Sequence, residues 1–124
     1  MSTFVLIHGA WHGGWAWNNV AALLRTEGHT GHTPDLPGHG SDQTAVGEVT
    51  LQAYVDRVTA VIDSCPEPVV LAGHSMGGVV ISQTAEQRPQ RICALVYVCA
   101  FLLRMANAFC NGRSRIMRGR WCPT

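Results

Sequence analysis

The chain has 124 residues, 47% hydrophobic and 14% charged, with a formal net charge of +1. That balance supports one domain with a buried core and excludes the polar, highly charged makeup of a disordered chain. The longest nearly unbroken apolar run, residues 92–103, has twelve residues, against roughly 20 needed to span a bilayer, so no transmembrane helix is expected.

The opening MSTFVLIHGA has no basic residue before its apolar stretch. It reads as the start of a strand rather than a secretory signal, and a cytoplasmic setting is the expectation. Residues 3–8 (TFVLIH) form a short β-rich run, apolar on both faces as in a parallel sheet. After a turn rich in Gly and Trp, residues 15–27 place Val20, Leu23 and Leu24 at helical spacing, with Gly28 positioned to end the helix. Residues 32–36 (HTPDL) are expected as a strand, and PGHGSDQTAVGEV after them as a loop.

Thr50 then caps a second helix whose stripe runs through Leu51, Tyr54, Val55, Val58, Val61 and Ile62, closed by Pro66 and Pro68. Residues 69–72 (VVLA) are the next strand, leading directly into Gly73-His74-Ser75-Met76-Gly77-Gly78 and a helix stopped by Pro89. Residues 92–101 (ICALVYVCAF) make a further strand, again apolar on both faces. Strands alternating with helices at this spacing call for a parallel sheet with right-handed crossovers, an α/β fold of about four strands with flanking helices.

After Leu103 neither period continues, and residues 103–124 read as an irregular or disordered basic tail with five arginines and no acid. Over the whole chain, residues 1–86 carry two arginines against eight acids, and residues 87–124 seven against none. The five cysteines, Cys65, Cys93, Cys99, Cys110 and Cys122, form no C-x-x-C pair. They are expected as thiols rather than a disulfide framework or a zinc knuckle.

The chemistry concentrates at Gly73-x-Ser75-x-Gly77. A serine in this pattern between a buried strand and a helix is a nucleophile elbow, a tight turn that lifts the hydroxyl to the top of the sheet. Glycines flank it because a Cβ at either position would collide with the neighbouring strand or helix. The Met76 amide then sits at the first turn of the helix, where unpaired N–H groups and the helix dipole favour an oxyanion. The second donor is expected from Ala10, in the loop after His8-Gly9.

HGAWHGGWAW, PDLPGHGSD and GHSMGG, in that order, resemble the α/β-hydrolase superfamily, and the first motif is similar to its plant-type methylesterase and hydroxynitrile lyase branch and to related bacterial esterases. The resemblance covers residues 3–102. It implies the strand order HTPDL, TFVLIH, VVLA, ICALVYV, and a chain truncated after the sixth strand of a fold about twice as long. It also implies carboxylic ester hydrolysis by Ser75 on a small-molecule ester, without metal, cofactor, nucleic acid or membrane.

The triad of this fold follows the order Ser, Asp or Glu, His. Here all six histidines (His8, His12, His29, His32, His39, His74) precede Ser75, and the one later acid, Glu86, is eleven positions on. That is roughly 16 Å along a helix, too far to orient a base at the serine. The 124 residues are therefore expected to be inactive or nearly so, the alternative to an esterase being a non-catalytic truncated fragment or weak acyl-group binder. His12 is the remaining base candidate, whereas His8 and His39 resemble structural members of their motifs and His74 is expected to face away from the pocket. Metal ligation by His8 and His12 is disfavoured, because their i, i+4 spacing lies on a strand and a turn. Trp11, Trp15 and Trp17 are expected to pack around the oxyanion loop, and Asp35 and Asp42 to be solvated or structural. A hydroxynitrile lyase is disfavoured: lyases resembling this chain carry threonine after the motif histidine and use a lysine, whereas Gly9 follows His8 and lysine is absent.

The final strand is expected to be a bare apolar edge prone to self-association. Residues 103–124 are expected to be a frame-shifted translation of the remaining enzyme. Read one base early, Met105-Ala106 must encode glycine and Phe109-Cys110 leucine, and Arg104 ending in G would give aspartate. The resulting Asp-Gly-x-x-x-Leu resembles the family's continuation. A phosphate-binding patch of Arg113, Arg115, Arg118 and Arg120 is the weaker alternative.

Overall fold

The computed structural model describes residues 1–102. The tail reading, with Cys110, Cys122 and the four-arginine patch, lies outside the described residues. The chain forms β1 (Thr3–Ile7), α1 (Asn18–Thr26), β2 (Thr30–His32), α2 (Leu51–Ser64), β3 (Val69–His74), α3 (Gly77–Gln87) and β4 (Ile92–Val98). Short 3-10 turns at Gly14–Trp17, Val46–Glu48 and Pro89–Arg91 complete it. The four strands are parallel in the order β2-β1-β3-β4, matching the order the motifs imply.

Each face of the sheet has its own core, as strand alternation requires. Val5, Ile7 and Leu71 meet Val55, Val58 and Ile62 of α2 and Val80 and Ile81 of α3. On the other face Leu6 and Ala72 meet Trp17 and Ala21. The Thr50 hydroxyl caps α2 by accepting the Ala53 N–H at 3.0 Å. Gly28, at φ 83°, ends α1 with its N–H donating to the Arg25 carbonyl at 3.0 Å.

Three elements depart from expectation. The second strand lies at Thr30–His32 rather than residues 32–36. Pro34 cannot donate to a ladder, and the Leu36 N–H is committed to His8 Nε2 at 3.0 Å. The last strand ends at Val98, because Cys99 turns the backbone at φ 44° and the Phe101 N–H donates to the Ser75 carbonyl at 3.1 Å. Finally, the first helical turn, Gly14–Trp17, is 3-10, so α1 starts at Asn18.

Candidate active site

Ser75 lies in the two-residue turn between β3 and α3, with φ 52°, a left-handed backbone that is uncommon for a residue bearing a side chain. The flanking glycines make the turn possible. A Cβ on Gly73 would lie 2.6 Å from the Gly77 carbonyl oxygen, and one on Gly77 would lie 2.7 Å from the Ile7 carbonyl oxygen. The first contact presses strand against helix start and the second presses helix against β1, the two collisions the sequence pattern anticipates. Met76 is the N-cap of α3, and the Gly78 N–H donates to the Ser75 carbonyl at 3.0 Å.

The loop after β1 comes directly to this turn. A Cβ on Gly9 would stand 3.1 Å from the Ser75 Cβ and 3.2 Å from His74 Nδ1. Sequence reasoning did not single out Gly9 as the point of contact, although its place after His8 carried that signal. The Gly9 carbonyl accepts from His8 Nδ1 at 2.8 Å and from the His12 N–H at 3.4 Å. The peptide that carries the Ala10 N–H is thereby held.

His8 is fully buried and uses both ring nitrogens, Nδ1 on Gly9 and Nε2 on Leu36, leaving neither for a metal. Burial, the largest effect, pushes its pKa below the ordinary histidine value, against the opposing hydrogen bond to Gly9. His39 stacks obliquely on His8 at 5.1 Å and meets Tyr54 edge-on at 5.7 Å. Both histidines occupy structural positions. His12 donates from Nδ1 to the Ala10 carbonyl at 2.8 Å, and its ring lies 6.0 Å from that of His74. His74 lies beside the Gly9 loop, where alternation along β3 places it on the same face as Ala72.

Of the three tryptophans, Trp17 packs in the core. Trp11 is 94% exposed at φ 66°, against the packing expected of it, whereas Trp15, though 59% exposed, lies with its ring 5.5 Å from that of His12 on the loop after β1. The 3-10 turn directs Trp17 onto the sheet and leaves Trp15 outward. Asp35 is structural: its carboxylate accepts the Gly14 N–H at 2.7 Å and both the N–H and hydroxyl of Ser41, joining the first motif to the second. The Gly14 bond is the main cause holding its pKa below the ordinary carboxylate value. Asp42 accepts from the Gly38 and Thr44 amides and pairs with Arg57 at 2.8 Å, and its hydrogen bonding, with the Thr44 side chain the largest cause and Gly38 and Arg57 after it, holds its pKa well below the carboxylate range. Glu86 is exposed near the far end of α3.

Among the described residues no group of three His, Cys, Asp or Glu side chains could hold a metal ion. No helix among them is long and apolar enough to cross a membrane.

Residues 4–122 match the model of the alpha/beta hydrolase family. The chain is 43% identical over 104 residues to a carbendazim hydrolyzing esterase of Nocardioides sp. (strain SG-4G), covering 82% of this chain and 43% of that protein. It is 39% identical over 102 residues to salicylic acid-binding protein 2 of Nicotiana tabacum, covering 80% and 39%. A solved extracellular alpha/beta-hydrolase from a Paenibacillus species superposes with a TM-score of 0.77 at 38% identity, over 84% of this chain and 43% of that one. The chain thus spans about two fifths of the length of the curated relatives it matches. With four parallel strands in the order β2-β1-β3-β4 and a glycine-flanked serine turn at the end of β3, the chain belongs to the alpha/beta hydrolase family.

Proposed function

We propose that the chain carries the nucleophile and the oxyanion donors of a serine carboxylic ester hydrolase. As Ser75 Oγ gives up its proton to a base it forms a bond to the ester carbonyl carbon, the C=O π bond opens, and the carbonyl oxygen takes up the negative charge facing the Ala10 and Met76 N–H groups; the leaving alcohol later receives that proton. Collapse of this adduct would expel the alcohol and leave an acyl-serine for water to cleave. The observation that carries the reading is Ser75 at φ 52° on a turn that the Cβ-free positions Gly73 and Gly77 allow to close. A small-molecule ester as substrate rests on the esterases among the relatives.

The same reading makes the 124 residues poor catalysts by themselves. Turning over the adduct needs a base at Ser75 and a group to orient it. No histidine follows Ser75, and Glu86 is exposed near the far end of α3. The purified chain is expected to hydrolyse a short activated ester only at trace rate, with Ser75→Ala removing that trace. A turnover typical of esterases, abolished by Ser75→Ala, would overturn the inactivity and make His12 the base.

A second reading, a non-catalytic fragment that associates through β4, is favoured by Leu95, Val96 and Val98 on that edge, which are 37%, 41% and 39% exposed. The out-of-frame reading of residues 103–124 has its own test in the gene. The family match extends through residue 122, past the end of the apolar periodicity. A shifted frame that stops early, or that encodes no later Asp and His, would refute it.

A further inference from the structure

The geometry points to His8 as a positioning residue that aims the Ala10 N–H, its imidazole tying the Leu36 amide of the PDLPGHG segment to the Gly9–Ala10 peptide. This rests on the proposed role of Ala10 as an oxyanion donor. The Leu36 N–H can only donate, so Nε2 at 3.0 Å must be the unprotonated nitrogen. The proton then resides on Nδ1, which donates to the Gly9 carbonyl at 2.8 Å. The tautomer is thus set by the backbone, and both bonds are sealed in a residue with no exposed surface.

The Gly9 carbonyl and the Ala10 N–H belong to one planar trans peptide and point in opposite directions. Holding the oxygen toward His8 therefore holds the N–H away from it. The absence of a side chain on Gly9 leaves room for Ser75, whose Cβ would stand 3.1 Å from a Cβ placed there. His8 reaches no substrate in this arrangement. It acts through the peptide that does.

Protonation of Nε2 would set two donors against each other at Leu36 and break the tie. The charged and titratable groups around His8 are His39 and Asp35 on the segment after β2 and His12 on the loop after β1. Tyr54 and Arg57 of α2 stand behind His39 and the Asp35 carbonyl, and His74 of β3 lies beside His12. Burial first, then the positive charge that His39 and His12 can carry, oppose protonation, while the Gly9 bond and Asp35 favour it. The net effect keeps His8 neutral at neutral pH, and acidification below the ordinary histidine range releases the loop.

The test is 15N NMR of the 124-residue chain. The wild type should show a protonated Nδ1 and an unprotonated Nε2 on His8, and an Ala10 amide order parameter of about 0.85, as for rigid backbone. His8→Asn retains a donor at the Nδ1 position and should keep Ala10 rigid. His8→Gln retains an acceptor for Leu36 but not the donor to Gly9, and should drop Ala10 below about 0.6. Equal Ala10 behaviour in the two variants, whether rigid or loose, would overturn the proposal. If His8→Gln does not fold, the wild-type pH titration decides. The Ala10 amide must shift with the His8 ring nitrogens while the α2 amides stay still, and independence of the two refutes the tie. None of these readouts needs hydrolysis. An Ala10 amide that follows His8 yet ignores an added arylboronic acid would sink the ester reading and leave the His8 tie standing.

Discussion

β3 and β4 are neighbours in the sheet, both apolar on both faces in sequence, and they end in opposite situations. In β3, Val69 and Leu71 have no exposed surface and Ala72 has 4%, because β1 and β4 flank it and helices cover both sides. In β4, the register pairs Leu71 with Leu95 and Ala72 with Val96, yet those partners remain more than a third exposed. Tyr97 of β4 is anchored to α3 by a hydrogen bond, its hydroxyl 2.8 Å from that of Ser82. On the opposite face the core cluster gathers Trp17, Ala21 and Leu24 around Leu6 and Ala72, and among the described residues Val96 and Val98 stay outside it, 41% and 39% exposed. Apolar residues state what a strand could bury, and the neighbours decide what it does bury.

The sharpest test of that contrast truncates the registered pair. Leu71→Ala should cost about 2–5 kcal/mol, as a cavity in a close-packed core, while Leu95→Ala should cost a small fraction of that. Equal losses in urea denaturation would mean that β4 is as well covered as β3. Next in size, Gly77→Ala drives a Cβ to 2.7 Å from the Ile7 carbonyl oxygen and should cost about 1–3 kcal/mol by overpacking. Gly47→Ala, with nothing within 4 Å, is its control and should leave the midpoint nearly unchanged.

Acidification should separate the regions by a smaller amount. The lowered pKa of His8 means the unfolded chain binds its proton first, so stability declines as pH falls through about 6.5, the ordinary histidine value. Asp35 and Asp42 have lowered pKa values too, so their contribution is present above the carboxylate range and is lost below about 4. The first decline should vanish in His8→Asn and the second should remain. A wild-type midpoint flat between pH 7 and 5 would contradict the buried neutral imidazole. Smallest of all, Val96→Thr should change stability by no more than about 0.5 kcal/mol, as exposed positions do, while reducing association measured by light scattering. A wild-type chain that stays monomeric at micromolar concentration would remove the reason for that difference.

Much of the site was legible in the order of residues, because its parts are local. Strand, Gly-x-Ser-x-Gly and helix are contiguous, so the tight turn at Ser75 and the need for Gly73 and Gly77 follow from a stretch of a dozen positions, while the left-handed φ of Ser75 came from the structure. The Thr50 cap and the α2 stripe were legible for the same reason. The second strand was misplaced because its end depends on a hydrogen bond from Leu36 to a histidine 28 positions earlier. Trp11, Trp15 and Trp17 look alike in sequence, and only the approach of the 3-10 turn to the sheet separates the one that is buried.

The amino-acid sequence by itself determined the alternation of strands and helices, the elbow serine and the lack of any histidine after it, since periodicity, turn chemistry and chain order need no distant partner. Tertiary structure alone decided that Gly9 lies against Ser75, that Asp35 joins Gly14 to Ser41, and that the two ring nitrogens of buried His8 meet the Gly9 carbonyl and the Leu36 N–H. Each of these depends on groups far apart in the chain meeting within hydrogen-bond or van der Waals range. Only the parallel pairing of β1 with β3 and the return of the loop after β2 bring them there.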